Sequence, residues 1–208
     1  MVAIKVCGIT RVEDALICVS AGVESIGINF SRGSKRYCEP ERAAQIVKAV
    51  GGRALMVGVF VDASFDEINA IRSSVGLGCV QLHGNEPPEL LRRLLPHAYK
   101  ALRVKGPSIV HDVVKYPGDH VLLDAFVTGE VGGTGERFDW TLARAVSREK
   151  RLTLAGGLTP DNVAEAIEIA LPYCVDVCSG VERSPGIKDA VLIHSFVAAV
   201  RRASMPSS

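Results

Sequence analysis

Two reactive side chains in this sequence stand where a short apolar run stops. Cys7 follows Val2-Ala3-Ile4-Lys5-Val6, and Asp124 follows Val121-Leu122-Leu123. A thiolate can serve as a base, and a carboxylic acid kept protonated by burial can serve as an acid. Such a pair suits an isomerisation that moves a proton and opens a ring without a cofactor. Each residue also has a plainer reading, since strand-end aspartates cap loop amides and most cysteines are small buried residues. Their joint placement at strand ends favours chemistry. It predicts a Cys7 thiol lowered from about 8.5 and an Asp124 carboxyl raised above about 3.9.

A second group of residues reads as anion-binding. Ala155-Gly156-Gly157-Leu158 and Cys178-Ser179-Gly180-Val181 are glycine-bearing turns after two late apolar runs. Glycine lets backbone N–H groups approach an anion closely. One such turn would be only a tight connection; two in succession predict a phosphate site made by Gly156, Gly157, Ser179 and Gly180. Arg36, in a loop with Arg32 and Lys35, has the planar fork that grips a carboxylate. Gln81 and His83 flank Leu82 and by strand alternation share one face. His83 reads either as a proton shuttle or as a structural hydrogen-bonding group. Gly132-Gly133-Thr134-Gly135 reads as a linker or as a mobile cover that brings Gly133 to a ligand.

The elements that must hold these groups alternate strictly. β-branched runs at 2–6, 25–29, 55–60, 79–82, 99–103, 121–123, 152–155 and 175–177 predict eight strands. Amphipathic stretches at 12–20, 40–50, 65–73, 87–95, 108–116, 138–146, 160–170 and 187–201 predict eight helices. Thr159-Pro160 and Ser64-Phe65 read as helix starts. Eight βα units imply parallel strands that close on themselves: an α/β protein, a single-domain (βα)₈ TIM barrel over residues 1–203, with 204–208 a frayed tail. A doubly wound open sheet is the alternative, but Cys7-Gly8-Ile9-Thr10 lacks its glycine fingerprint. In a (βα)₈ barrel the chemistry lies at the carboxyl ends of the strands, which is where Cys7, Arg36, Gln81, His83, Asp124 and the glycine turns fall.

Composition narrows the partners. With 208 residues and a net charge of +1, there is no global field for nucleic acid or an anionic membrane, so any anion must be bound by local geometry. No apolar run approaches the roughly 18 residues that cross a bilayer, and the first residues read as a strand rather than a signal peptide. The expectation is a cytoplasmic enzyme for a small phosphorylated molecule, monomeric or homodimeric. Its six cysteines include no C-x-x-C, so reduced thiols are expected and a zinc site is not.

The motifs together resemble a known family. Lys5-Val6-Cys7-Gly8-Ile9-Thr10, Ser34-Lys35-Arg36-Tyr37, Gln81-Leu82-His83-Gly84, Leu123-Asp124, the 132–135 glycines with Phe138-Asp139-Trp140, Leu154 to Leu158, Asp176 to Glu182 and Gly186-Ile187-Lys188-Asp189 are similar to phosphoribosylanthranilate isomerase of tryptophan biosynthesis. The resemblance covers essentially the whole chain. It implies a cofactor-free Amadori rearrangement, with Asp124 as general acid, Cys7 as general base and Arg36 on the anthranilate carboxylate. The family usually carries serine where this chain has Cys178. The related aminoaldose isomerase of the histidine pathway would place aspartate at position 7. Indole-glycerol-phosphate synthase would need lysine and glutamate catalytic residues. A non-catalytic phosphosugar-binding protein would have no use for both Cys7 and Asp124.

Overall fold

The computed structural model describes residues 1–104, 106–124 and 140–204. Eight parallel strands close in sequence order, each hydrogen-bonded to its chain neighbours and the last to the first. They are β1 (Ala3–Val6), β2 (Ser25–Asn29), β3 (Leu55–Phe60), β4 (Cys79–Leu82), β5 (Ala98–Arg103), β6 (His120–Asp124), β7 (Arg151–Ala155) and β8 (Cys174–Val177). Around them run α1 (Val12–Ser20), α2 (Pro40–Val50), α3 (Phe65–Val75), α4 (Pro88–Leu94), α5 (Ile109–Val113), α6 (Trp140–Ser147), α7 (Val163–Ala170) and α8 (Ala190–Ala203). The (βα)₈ architecture read from the alternation is the one observed.

Strand periodicity explains both the core and the site. Successive side chains point to opposite faces of a strand. Ile4, Val6, Val80, Leu82, Val121, Leu123, Leu152, Leu154, Val175 and Val177 belong to the apolar layer shared with the helices. The alternate positions face the barrel axis, where Val57, Tyr99, Ala101, Leu122 and Ala155 form a smaller interior cluster. The same inward parity selects Lys5, Gln81 and Asp176, which are buried despite their polarity. Closure places β1 beside β8 with Lys5 opposite Asp176 and Val6 opposite Val177, so the residues that follow, Cys7 and Cys178, emerge side by side at the mouth.

Local chemistry moves several boundaries. Ser64 caps α3 by accepting from Glu67 N, as expected. Thr159 does not cap α7: Asn162 Oδ1 accepts from Thr159 N, a tight turn occupies 159–162, and the helix starts only at Val163. The helix expected from residue 187 starts at Ala190, because Asp189 accepts from Val191 N and Leu192 N and fixes the first turn there. Ile187–Lys188 instead pairs antiparallel with Glu182–Ser184, forming a ribbon of two extra strands, β9 (Glu182–Ser184) and β10 (Ile187–Lys188). Ser204, the first residue of the expected tail, accepts from Val2 N and donates to Val200 O. Residues 205–208, the 132–135 glycines with Gly133, and the start of the sixth predicted helix lie outside the described residues.

Candidate active site

At the carboxyl ends of the strands a cavity of about 440 Å³ is lined by Cys7, Arg36, Gln81, His83, Asp124, Gly156, Gly157 and Ser179, among others. Almost every residue singled out in the sequence therefore faces one space. Cys7 is fixed by its own N–H, which donates to Val177 O at 2.8 Å. Gly27 on β2 makes room for it: a Cβ there would lie 2.7 Å from Cys7 Sγ. Gly8, in the left-handed region at φ 74°, makes room for Arg36, whose Cδ would be 2.6 Å from an added Cβ.

The thiol departs from the expectation of a lowered pKa. Burial pushes Cys7 up; Lys5 and Lys188 pull it down but do not win. Cys178 is pushed up to about 12, by burial first and by Cys7 next, so it stays a neutral thiol at the mouth.

Behind the cavity Lys5, Tyr99 and Asp176, which the sequence did not single out, join Gln81, His83 and Asp124 in one polar network. Lys5 Nζ donates to Asp176 Oδ2 at 2.5 Å and to Gln81 Oε1 at 3.0 Å. Tyr99 O–H donates to the same Gln81 oxygen at 2.9 Å. Gln81 Nε2 lies 2.8 Å from His83 Nδ1, and His83 Nε2 lies 3.2 Å from Asp124 Oδ2. Burial is the largest single influence on Lys5 and works against its charge, but Asp176, Cys7 and Tyr99 together hold the ammonium well above its ordinary value. The other Asp176 oxygen, Oδ1, is buried with no hydrogen-bond partner among the described residues, and Asp176 lines the cavity. A usable signal was in the sequence: Lys5 and Asp176 interrupt apolar strands at the inward parity, where a charge is retained only with a partner.

Arg36 also has a partner that its loop did not announce. Its Nε and Nη2 donate to Glu182 Oε1 and Oε2 at 2.8 and 2.6 Å. Lys188 Nζ and Gly186 N bind the same carboxylate at 3.0 and 3.1 Å. Burial would raise Glu182, but Arg36 and Lys188 hold it below the ordinary carboxyl value. The β9–β10 ribbon thus grips Arg36 by one edge of its guanidinium. Among the described residues no partner takes the edge formed by its two terminal nitrogens.

In the turn after β7, Gly156 and Gly157 take positive φ, 91° and 65°. A Cβ at Gly180 would run into Leu158 O, so only glycine lets the turns after β7 and β8 approach this closely. Ser179 opens a single 3₁₀ turn, Ser179–Val181, whose first N–H groups have no partner within the turn. Among the described residues no His, Cys, Asp and Glu cluster could hold a metal ion. No helix there is long and apolar enough to cross a membrane.

Comparison with known proteins adds to this geometry. Residues 4–199 match the family model of N-(5'-phosphoribosyl)anthranilate (PRA) isomerase. A relative from Geobacter sp. (strain M21), named N-(5'-phosphoribosyl)anthranilate isomerase, is 46% identical over 98% of this chain and 100% of its own length. This chain belongs to that family. It is therefore an isomerase of tryptophan biosynthesis. The crystal structure of the Thermotoga maritima PRA isomerase is similar at TM-score 0.88 and 40% identity, covering 97% of this chain and all of that one. Another, of a PRA isomerase in complex with reduced 1-(o-carboxyphenylamino)-1-deoxyribulose 5-phosphate, matches at TM-score 0.88 and 38% identity, with coverage of 97% and 100%.

Proposed function

We propose that this PRA isomerase family member rearranges N-(5-phospho-β-D-ribosyl)anthranilate to 1-(2-carboxyphenylamino)-1-deoxy-D-ribulose 5-phosphate in the cytoplasm, without a cofactor, through Asp124 and Cys7. The observation that carries this reading is the shared cavity: an acid and a base face the same space, between Arg36 and the two glycine turns. A substrate that carries both a carboxylate and a phosphate would use both anion sites. Gly156, Gly157, Ser179 and Gly180 take the phosphate through backbone N–H groups, so the family's usual serine hydroxyl at position 178 is not required. The free edge of Arg36 takes the anthranilate carboxylate, while Asp176 Oδ1 accepts from a sugar hydroxyl.

The steps balance within the substrate. Asp124 gives a proton to the furanose ring oxygen, the C1–O bond breaks, and the anilino nitrogen's lone pair completes a C1 iminium. Cys7 removes the C2 proton, and the C–H electrons become a C1–C2 double bond that neutralises the iminium. The enol then loses its hydroxyl proton and gains one at C1, leaving the ketone. C2 is oxidised as C1 is reduced, so no external oxidant or reductant enters. The raised Cys7 thiol fits this order. Cys7 acts as the thiolate after losing its own proton to solvent, and an iminium formed next to it favours that charge at the step where a base is needed.

The test is a coupled assay in which the labile substrate is made in situ and anthranilate-type fluorescence is followed. Conversion that depends on the chain supports the reading. Turnover of an aminoaldose phosphate without an anthraniloyl ring, and none of this substrate, would replace it.

A further inference from the structure

The five hydrogen bonds behind Asp124 have only one consistent direction. Lys5 is held by Asp176 at 2.5 Å, and its ammonium can only donate. The Gln81 atom 3.0 Å from Lys5 must therefore be the carbonyl oxygen, and Tyr99 donates to that same atom. The amide cannot turn over, because its NH₂ would then face an ammonium. Its NH₂ group consequently donates to His83 Nδ1, 2.8 Å away, and that nitrogen must keep its lone pair. In neutral His83 the proton then lies on Nε2, pointing at Asp124 Oδ2.

We infer that Gln81, backed by Lys5 and Tyr99, is a positioning residue that locks His83 as the Nε2–H tautomer, making His83 a hydrogen-bond donor to Asp124 and not a proton shuttle. The consequence rests on the reading of Asp124 as the acid. A carboxyl oxygen that already accepts an N–H is a poor place for an acid proton, so the proton Asp124 delivers is carried by its other oxygen. As it leaves, negative charge develops on the carboxylate, and the His83 N–H strengthens against it. The lock thereby orients the acid and stabilises what remains after transfer.

The tautomer is directly readable. In the full-length chain labelled with ¹⁵N-histidine, long-range ¹H–¹⁵N correlation near neutral pH should show His83 with a bare Nδ1 and a protonated Nε2, its signals assigned by their loss in His83→Gln. Gln81→Glu nearly preserves shape but offers Nδ1 an acceptor, so Nδ1 should become protonated. Gln81→Met removes the constraint; it should give a tautomer mixture and lower kcat about tenfold with KM nearly unchanged, the worth of one hydrogen bond felt in the transition state. A wild-type His83 with its proton on Nδ1, or an unaltered pattern in Gln81→Glu, overturns the lock, and the wild-type measurement stands even if a variant fails to fold. Normal kcat in a Gln81→Met protein that has lost the pattern overturns its catalytic role. Near-normal kcat in Asp124→Asn, with the wild-type pattern intact, removes the acid assignment and leaves the lock in place.

Discussion

Among the described residues the barrel has a cavity at each mouth, and the larger one is not the one proposed as the site. At the amino-terminal end of the strands a space of about 660 Å³ is lined by Tyr99, His120, Thr153, Tyr173 and others, against about 440 Å³ at the carboxyl-terminal end. Polar groups occur at both, but they are spent differently. In the lower space His120 bonds Thr153 at 2.7 Å and stacks on Tyr99 with ring centroids 4.2 Å apart. In the upper space, among the described residues, a carboxylate oxygen is buried without a partner and a guanidinium keeps an edge to spare. Strand direction accounts for the contrast. Carboxyl ends are followed by βα turns that bring glycine amides and side chains from different strands together, whereas the lower end is closed by connections that serve stability.

The largest effects should come from Asp124 and Cys7, the proposed acid and base of the upper mouth. Asp124→Asn and Cys7→Ser should each lower kcat roughly 10²-fold or more with KM nearly unchanged. Burial raises the Cys7 thiol, so its base form appears only as pH climbs. The Cys7-dependent limb of kcat/KM should therefore still be rising above neutrality. Steady-state profiles of wild type and Cys7→Ser check this; a limb that survives in the serine variant belongs to another group.

Arg36 should come next. Arg36→Met should cost about 1.5–3 kcal/mol of substrate binding, the range for a hydrogen bond to a charged group, chiefly in KM. An aniline analogue without the carboxylate should lose much less. Arg32→Met is the control, since Arg32 lies outside the cavity lining, 5.7 Å over the Tyr37 ring. Equal losses for both substrates would mean that Arg36 matters through its Glu182 pair and the ribbon it holds. At the glycine turns proposed for the phosphate, inorganic phosphate should compete with substrate at millimolar levels, on the order expected for a fragment that uses only part of the site. Noncompetitive inhibition would place that anion elsewhere.

The sequence carried the fold through its periods and the site through its strand ends. Cys7 and Asp124 could be placed because they end apolar runs, and alternation put Gln81 and His83 on one face. What escaped was pairing across the barrel. Nothing local joins Lys5 to Asp176 or Arg36 to Glu182, because closure brings together residues that are 171 and 146 positions apart. The ribbon was masked by an apolar stretch that also fits a helix, although Pro185-Gly186 marked a turn and Asp189 a cap. The Cys7 shift was misjudged because the expectation followed from the role and neglected burial, the largest influence on that thiol.

The smallest effect on activity should belong to the lower mouth, where the change appears in stability. His120 is held down to about 4 from 6.5, by burial first and by the nearby Arg151 and Lys5 charges next. Folding therefore favours the neutral imidazole. Between those two values the unfolded chain binds more protons than the folded one, so stability falls as pH drops from 6.5 toward about 4 and is insensitive to His120 above that window. The span corresponds to on the order of 3 kcal/mol. In His120→Gln an amide can still meet Thr153 but cannot take a proton. Urea unfolding of both proteins at several pH values isolates the term, since carboxylates common to the two cancel in the difference. The variant should lose less stability on acidification, with kcat and KM at neutral pH unchanged within about twofold, as expected away from the reacting atoms. Parallel stability curves would remove His120 as the titrating group. A large fall in kcat would show that the lower mouth reaches the chemistry through Tyr99 and Gln81, and that the two ends of the barrel are one site.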